Sequence, residues 1–525
     1  MSAVGAPVHL EVPVTAPHTY ITTTIPYVNA RPHLGFALEL VQADVLARPR
    51  RRQGDQVRFQ TGTDDNSLKN VLAAEAAGAG VQEFVDRNAA EFVALAGPLA
   101  LSADDVIRTS RDPRHRPGVE RFWTACADAG DLYRKHYEGL YCVGCEQFYL
   151  QAELTGGRCA EHGTEPQPVG EENWFFRLSR YAGQLHGLIS TGALRIEPAG
   201  RRNEVLAFIA GGLEDFSISR STGRARGWGI PVPGDPGQVI YVWWDALGNY
   251  LTALGFGTGG EDYRRWWTGA QRRIHLAGKG VLRFHAMYWP AMLLSAGQPL
   301  PTDILVHDYL TAGGRKISKS GGAAADPAAL AGQYGTDAVR WWLLREVPRT
   351  GDADFTAERL VSRANDELAN GLGNLVNRVI AMIHRYRQGQ VPAAPGPAAG
   401  AGDLEEASRV APGLIDAALA GFDYRQATSA LWRIVDEANR YINGARPWDL
   451  ARAERGGGQD AGQHLDSVLG RPHPGLPAHR RGAGDLPARH RGPHPPAVRS
   501  RGGRPAPQPF AGLCQAALSQ RDGSG

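Results

Sequence analysis

The 525-residue chain is poor in lysine, with five (Lys69, Lys135, Lys279, Lys316 and Lys319) against 52 arginines. A generic surface cation is therefore almost always arginine here, and two of the five lysines share one five-residue window. A compact, mobile ammonium suits phosphate chemistry, so Lys316 and Lys319 stand out as retained for it. Long apolar runs are also missing: no stretch of about 18 apolar residues could cross a bilayer as a helix. The first residues lack the basic segment and apolar core of a secretory leader, which points to a soluble cytoplasmic protein. Of five cysteines, Cys126 and Cys514 stand alone, whereas Cys142, Cys145 and Cys159 crowd together. That is a poor disulfide framework for a secreted protein and a candidate metal cluster in a reducing compartment. A strong charge of either sign is lacking too. The net charge is +3, but nine arginines and two aspartates from Arg471 onward leave residues 1–470 at −4. A body bound to polyanions by its overall field is thus excluded, and any such contact needs a local patch.

The length implies three or four domains. Tyr20–Ile25 reads as a strand, followed by a loop broken by Pro26, Asn29 and Pro32, and then by a helix over 34–46 with apolar Leu34, Leu38, Val41 and Val45. Pro49 is expected to end or kink that helix near Arg48. A second strand at Val57–Phe59 leads into the polar loop Thr61–Asn66 and a helix over 68–77. This βαβ unit puts polar residues at strand ends, where open parallel sheets bind ligands. Over about 130–220 the pattern is interrupted by the cysteines, glycine and proline breakers and Trp174-Phe175-Phe176. It resumes with Val239–Trp244, a strand at Ile274–Ala277, the turn Gly278-Lys279-Gly280, a helix over 284–294 and a strand at Ile304–His307. Beyond Asp326 the periodicity is helical, over 336–345, 357–387, 404–420 and 424–443, with a Pro-Ala-Gly linker at 392–402. From about 456 the composition supports no assignment.

Three motifs carry chemistry. His33-Leu34-Gly35-Phe36 opens a helix directly after a strand and turn, where unpaired N–H groups and the helix dipole favour an anion. In that setting His33 can donate to a phosphate, and Gly35 permits close approach of a nucleotide. Lys316-Ile317-Ser318-Lys319-Ser320, between Gly313-Gly314 and Gly321-Gly322, reads as a mobile loop with two ammonium groups and two hydroxyls, suited to a departing pyrophosphate; a solvated linker is the plainer alternative. Cys142-x-x-Cys145 and Cys159-x-x-His162 have the spacing of a closed, structural tetrahedral Zn2+ site, as against buried free thiols. Cys126 falls on an apolar helix face and reads as core.

Together, in this order and at strand ends, the first two motifs resemble the paired H-x-G-H and K-M-S-K-S signatures of class I aminoacyl-tRNA synthetases. The resemblance extends to the methionyl branch through Ile25-Pro26-Tyr27-x-Asn29, Thr61-Gly62-Thr63-Asp64, Arg201-Arg202-Asn203-Glu204, Ser217-Ile218-Ser219-Arg220, Trp228-Gly229-Ile230, Tyr241-Val242-Trp243-x-Asp245-Ala246, Gly278-Lys279 with Arg283-Phe284-His285, and Pro447-Trp448. It covers roughly residues 19–455. It implies an α/β fold with a Rossmann-type parallel-sheet catalytic domain, split by a zinc-knuckle insertion and followed by an α-helical anticodon-binding bundle. The implied limits are an N-terminal extension at 1–18, catalytic halves at 19–130 and 221–325, the connective insertion at 131–220, a stem-contact region at 326–356, the anticodon domain at 357–455 and an atypical basic tail at 456–525.

The implied reaction joins methionine to tRNA by way of methionyl-adenylate, with ATP as its Mg2+ complex and Zn2+ as a structural ion. His33, Gly35, Lys316 and Lys319 would be catalytic; with Phe36, Asn66, Ser318 and Ser320 they would hold ATP. Ile25, Tyr27, Trp243, Leu247, Tyr250, Val281 and His285 would surround the thioether, with Asp64 against the α-ammonium; without the family pattern, Trp243, Tyr250 and Val281 read equally as core. Trp448 would stack on the anticodon, a capping aromatic being the alternative.

The chain departs from the family at two places in the ATP site. Phe36 stands at the second signature histidine, and Asp65-Asn66-Ser67 replaces a run that ends in His-Gly. Phenylalanine cannot donate to phosphate, so slower adenylate formation is expected, compensated in part by Asn66. The Arg-Pro-His-Gly composition after about Arg471 suggests an out-of-frame reading of GC-rich coding sequence. Two other functions remain open at this point: a paralogue that activates an amino acid for a non-tRNA acceptor, and a non-catalytic RNA-binding paralogue.

Overall fold

The computed structural model describes residues 16–142, 147–149, 151–160, 163–317, 326–392 and 401–470. Its contacts divide into two units. One runs to Gln333 and takes in Glu346–Phe355; the other comprises Tyr334–Arg345 and the chain from Thr356 onward.

The first unit is organised on six parallel strands in the order Asp105–Arg108, Gln56–Thr63, His18–Thr22, Arg272–Gly278, Asp303–His307, Arg195–Glu197. Tyr20, Ile21 and Thr22 are wholly buried, as are Ile274 to Ala277. Covering on both faces explains why these strands read as near-continuous apolar and β-branched runs. The chain leaves the first strand toward one edge and later returns on its other side. The order therefore reverses between His18–Thr22 and Arg272–Gly278, and the crevice at their carboxyl ends is where such sheets take ligands. The register there sets Thr22 opposite His275.

The interval read as an insertion carries its own antiparallel sheet, in the order Gln147–Tyr149, Leu132–Cys142, Gln167–Phe176, Phe216–Ser217. It also supplies Arg195–Glu197 to the edge of the parallel sheet. In the second unit, Ala357–Arg363, a π-wound segment Ala364–Gly373 and Asn374–Arg387 follow one another without a break. Gly402–Ala420, Tyr424–Ala445, Pro447–Arg455 and Gln459–Gly470 complete it. Among the described residues no helix is long and apolar enough to cross a membrane.

Several local expectations are corrected. The helix beginning at Leu34 runs through Pro49 to Arg52. Pro49 lies in the last turn, where it forfeits a single hydrogen bond, and Arg51 ties that turn to Ser102 and Asp104 (both 2.6–2.7 Å). The apolar stretch Val239–Trp244 changes state midway, ending a strand at Ile240 and beginning a helix at Val242. Gly313 and Gly314, both at positive φ (59° and 72°), form the two-residue turn of a hairpin that pairs Leu310–Ala312 with Arg315–Lys316. Such a turn needs φ > 0 at both positions, which glycine adopts without strain, so the stretch leading to Lys316 is a hairpin. The helix Gln459–Gly470 lies where composition gave no assignment; it forms because Leu465, Val468 and Leu469 bury one stripe against the bundle.

Candidate functional site

Eight residues far apart in sequence meet at the sheet crevice. Ile25, Tyr27, Asp64, Trp243, Leu247, Tyr250, Val281 and His285 line one cavity of about 210 Å³, with Thr24, Pro26 and Ala246. Local structure explains the convergence. Ile25 and Tyr27 leave the first strand, and Asp64 follows Thr63 at the end of the next, where its N–H donates to the Pro26 carbonyl (2.9 Å). Trp243, Leu247 and Tyr250 stand at i, i+4 and i+7 on the helix Val242–Thr252, and Val281 and His285 are one turn apart. Trp243 stacks flat on Phe284 (3.7 Å, 5°) and meets Tyr27 edge-on (6.4 Å).

Two polar groups of this aromatic cavity, Tyr250 and His285, are engaged with one another, whereas Trp243 Nε1 is buried without a hydrogen-bond partner among the described residues. His285 Nδ1 lies 3.0 Å from the Val281 carbonyl, which can only accept, so Nδ1 carries the hydrogen. Burial lowers the pKa of His285 and keeps the ring neutral. Its Nε2 must then accept from the Tyr250 hydroxyl at 2.8 Å.

A second cavity, of about 320 Å³, shares Thr24, Pro26, Tyr27, Trp243 and Val281 with the first and reaches the start of the helix Leu34–Arg52. His33 is the N-cap residue, and Gly35 and Phe36 complete this wall. A Cβ on Gly35 would come within 3.0 Å of the His33 ring, so Gly35 makes room for the imidazole. Phe36 is 8% exposed and packs edge-on against Phe92 (5.5 Å). Opposite them are charges. Glu39 accepts from the Thr24 hydroxyl (2.6 Å) and from His307 Nε2 (2.9 Å), while His307 Nδ1 donates to the Asp308 carbonyl (2.9 Å). Burial works against a charged His307, but its contacts with Glu39 and Asp308 together raise its pKa, and both ring nitrogens face acceptors, which favours the imidazolium. Lys279 pairs with Asp352 (2.5 Å) and lies 4.5 Å from the Tyr309 ring centre. Ile317 closes the wall, its N–H donating to the Leu310 carbonyl (2.8 Å).

Asn66 is not brought to this cavity. Its amide donates to Asp245 (2.7 Å), which in turn meets His115, and it faces a different recess near Trp228 and Tyr241. In this structure the Asn66 amide is thus engaged by Asp245 and does not line the cavity that Phe36 lines. The backbone of Lys316 is placed by its pairing with Thr311. Ser318, Lys319 and Ser320 lie outside the described residues, as do Cys145 and His162. Cys142 and Cys159 are each 1% exposed, and neither they nor Cys126 form a disulfide. Among the described residues no three His, Cys, Asp or Glu side chains are grouped to hold a metal. Cys126 is core, with burial raising its thiol pKa to about 12. Trp448 is 37% exposed near the start of the helix Pro447–Arg455.

Sequence reasoning missed Glu39, His307 and Asp308. A signal existed for Glu39: it is an acid on a helix whose apolar residues imply burial almost all round, and a buried acid needs a partner. The partner, 268 residues away, was not legible.

The family model described as tRNA synthetases class I (M) matches residues 19–165 and 149–380. A methionine–tRNA ligase of Thermotoga maritima is 40% identical over 437 residues, 82% of this chain and 68% of that protein. Its counterpart in Mycobacterium bovis is 42% identical, covering 83% of each chain. The solved structure of the Mycobacterium tuberculosis methionyl-tRNA synthetase in complex with methionyl-adenylate superposes with a TM-score of 0.81 at 39% identity, over 86% of this chain and 88% of that one. With a family model matching more than half its length and such relatives covering most of it, this chain belongs to the class I tRNA synthetases of the methionyl group.

Proposed function

We infer that the chain is a methionine–tRNA ligase. The observation that carries this reading is the convergence of Ile25, Tyr27, Asp64, Trp243, Leu247, Tyr250, Val281 and His285 on one aromatic cavity beside a helix N-terminus. The methionine carboxylate attacks the α-phosphorus of ATP and pyrophosphate leaves; the ribose hydroxyl at the tRNA terminus then attacks the adenylate carbonyl and AMP leaves. No covalent enzyme intermediate is required, so positioning and electrostatics are what the protein supplies.

In this reading the aromatic walls hold the thioether, for which soft sulfur–ring contacts are favourable, and Asp64 takes the ammonium. ATP, as its Mg2+ complex, lies against His33, Gly35 and Phe36, where the N–H groups of the first helical turn face the phosphates. Lys316, Ser318, Lys319 and Ser320 take the pyrophosphate charge. The helical unit receives the tRNA through Trp448, with Arg446 and Arg452 on either side of Asp449 nearby, and 326–356 contacts the stem. ATP and tRNA as substrates suit a cytoplasmic location.

The cysteine knuckles fit a structural Zn2+. The Cys159 N–H donates to the Thr164 carbonyl (2.9 Å), and the Thr164 hydroxyl lies 3.8 Å from Cys142 Sγ, so the described half of each knuckle meets at Thr164. Cys145 and His162 would complete a closed set of three thiolates and one imidazole. About one zinc per chain by metal analysis, lost in Cys142→Ser, is the expected result.

ATP–pyrophosphate exchange with a panel of amino acids, followed by transfer to tRNA, tests the whole reading. Methionine alone should support exchange. Trp448→Ala should leave exchange intact and raise the KM for tRNA about tenfold, the scale of one lost base stack. Neither a non-tRNA acceptor nor a non-catalytic role is favoured by the relatives.

A further inference from the structure

The hairpin that leads to Lys316 is held from one side by a carboxylate. Asp354 Oδ1 accepts from the Thr311 hydroxyl (2.7 Å) and from the Gly314 N–H (3.0 Å). One donor lies in the strand Leu310–Ala312 and the other in the turn. The register pairs Ala312 with Arg315 across that turn, so no ladder bond of the hairpin uses the Gly314 N–H, and Asp354 satisfies it. Thr311 is also the register partner of Lys316, so the carboxylate holds the residue that sets the Lys316 backbone. Asp354 is itself fixed. The two-residue strand Ala353–Asp354 runs parallel to Leu310–Ala312, with the Ala353 N–H on the Tyr309 carbonyl (3.0 Å) and the Phe355 N–H on the Thr311 carbonyl (2.7 Å). Just before it, Asp352 accepts from the Tyr309 N–H (3.0 Å) and pairs with Lys279, which follows the central strand Arg272–Gly278. A continuous chain of contacts thus runs from the carboxyl end of the parallel sheet to the hairpin turn.

We propose that Asp354 is a positioning residue for adenylate formation: through Thr311 and Gly314 it fixes the hairpin that delivers Lys316 to the departing pyrophosphate. The inference rests on the ligase reading given above and on the role given there to Lys316. Asp354 lines neither cavity and acts only through the backbone of the lysine-bearing strand. A cation stabilises a developing charge best when it is in place before that charge forms, and a backbone pairing of only two residues leaves the hairpin free to twist without its side-chain clamp. Pyrophosphate leaves in the first half-reaction and takes no part in the second, in which the ribose hydroxyl attacks the adenylate carbonyl. A residue that works through Lys316 must therefore slow adenylate formation and leave transfer untouched. One that merely holds the fold together would slow both.

The test compares the full chain with Asp354→Ala, Asp354→Asn and Thr311→Val in two assays: steady-state ATP–pyrophosphate exchange, and single-turnover transfer to tRNA from chemically prepared methionyl-adenylate. Asp354→Ala removes the shared acceptor. It should lower the exchange kcat about tenfold, the scale of one hydrogen bond to a charged group, with the methionine KM and the transfer rate moving less than about twofold. Asp354→Asn keeps an oxygen for both donors and should restore the exchange kcat to within about twofold of the unaltered chain. Thr311→Val keeps the branched shape and removes one of the two donors, so its exchange kcat should fall about threefold with transfer again unchanged. The proposal is overturned if Asp354→Ala leaves the exchange kcat unchanged, if transfer falls in step with exchange, or if Asp354→Asn is as slow as Asp354→Ala. If Asp354→Ala fails to fold, Thr311→Val decides alone, and an unchanged exchange kcat or an equal loss of transfer in it overturns the proposal. Absence of methionine-dependent exchange in the unaltered chain would instead overturn the ligase reading, and this proposal with it.

Discussion

The two adjoining cavities are built on opposite electrostatic plans. In the aromatic cavity the histidine is neutral, its polar atoms are bonded to protein neighbours, and Asp64 is the one acidic side chain in the lining. In the cavity at the helix start, Glu39 and Asp308 favour the charged form of His307, Lys279 pairs with Asp352 close by, and a helix N-terminus opens into the space. The difference teaches how one crevice can sort two substrates. An apolar side chain is received by aromatic walls around a neutral histidine, whereas a polyphosphate is held by charge and dipoles fixed before it arrives.

The most severe way to break this comparison is to remove the acid of the aromatic cavity. Asp64→Asn should lower methionine kcat/KM in pyrophosphate exchange by about 10²- to 10³-fold, the scale of breaking one buried charge pair. A loss under about tenfold would mean that the ammonium is held elsewhere. The next test adds polarity to the second cavity: Phe36→His restores a donor, and adenylate formation should accelerate by on the order of 10², as expected for one donor to a developing charge. An unchanged exchange rate would show that this ATP site is organised without that donor.

The smallest effect concerns pH. Because the pKa of His307 is raised in the folded protein, its pairing stabilises fully below the unfolded-state value, about 6.5, and that contribution is lost as pH rises through the higher folded value. Glu39→Gln removes the anion. The unaltered chain should therefore be more stable than Glu39→Gln by about 1–3 kcal/mol near pH 6, with the gap narrowing toward alkaline pH in denaturant titrations. A gap that stays constant or widens would show that His307 is not held charged.

How far the site could be read from sequence differed between the cavities for a physical reason. The aromatic cavity is lined by residues at helical spacing or at strand ends: Trp243, Leu247 and Tyr250 on one helix face, Val281 and His285 on another, Asp64 just past a strand. The family resemblance reached all of them through local motifs, whereas periodicity alone left Trp243, Tyr250 and Val281 equally readable as core. The charged cavity depends on pairs such as Glu39 with His307 and Lys279 with Asp352, formed by residues whose sequence neighbourhoods say nothing of each other. Asn66, which the family resemblance placed in the ATP site, donates its amide in this structure to Asp245 instead, another pairing its sequence neighbourhood does not announce.

By itself the sequence determined the parallel α/β unit, its interruption over about 130–220 and the long helices of the bundle, because each is specified by apolar periodicity and by breakers within a short window. It also fixed the placement of the two signature motifs at strand ends. What only the tertiary structure decided was which polar groups neutralise one another. That choice depends on strand order and register, which set Thr22 beside His275 and bring His307 to Glu39, and on the balance of burial against charge, which leaves His275 neutral and favours the charged form of His307. Periodicity records which face of an element is buried. It does not record what meets that face.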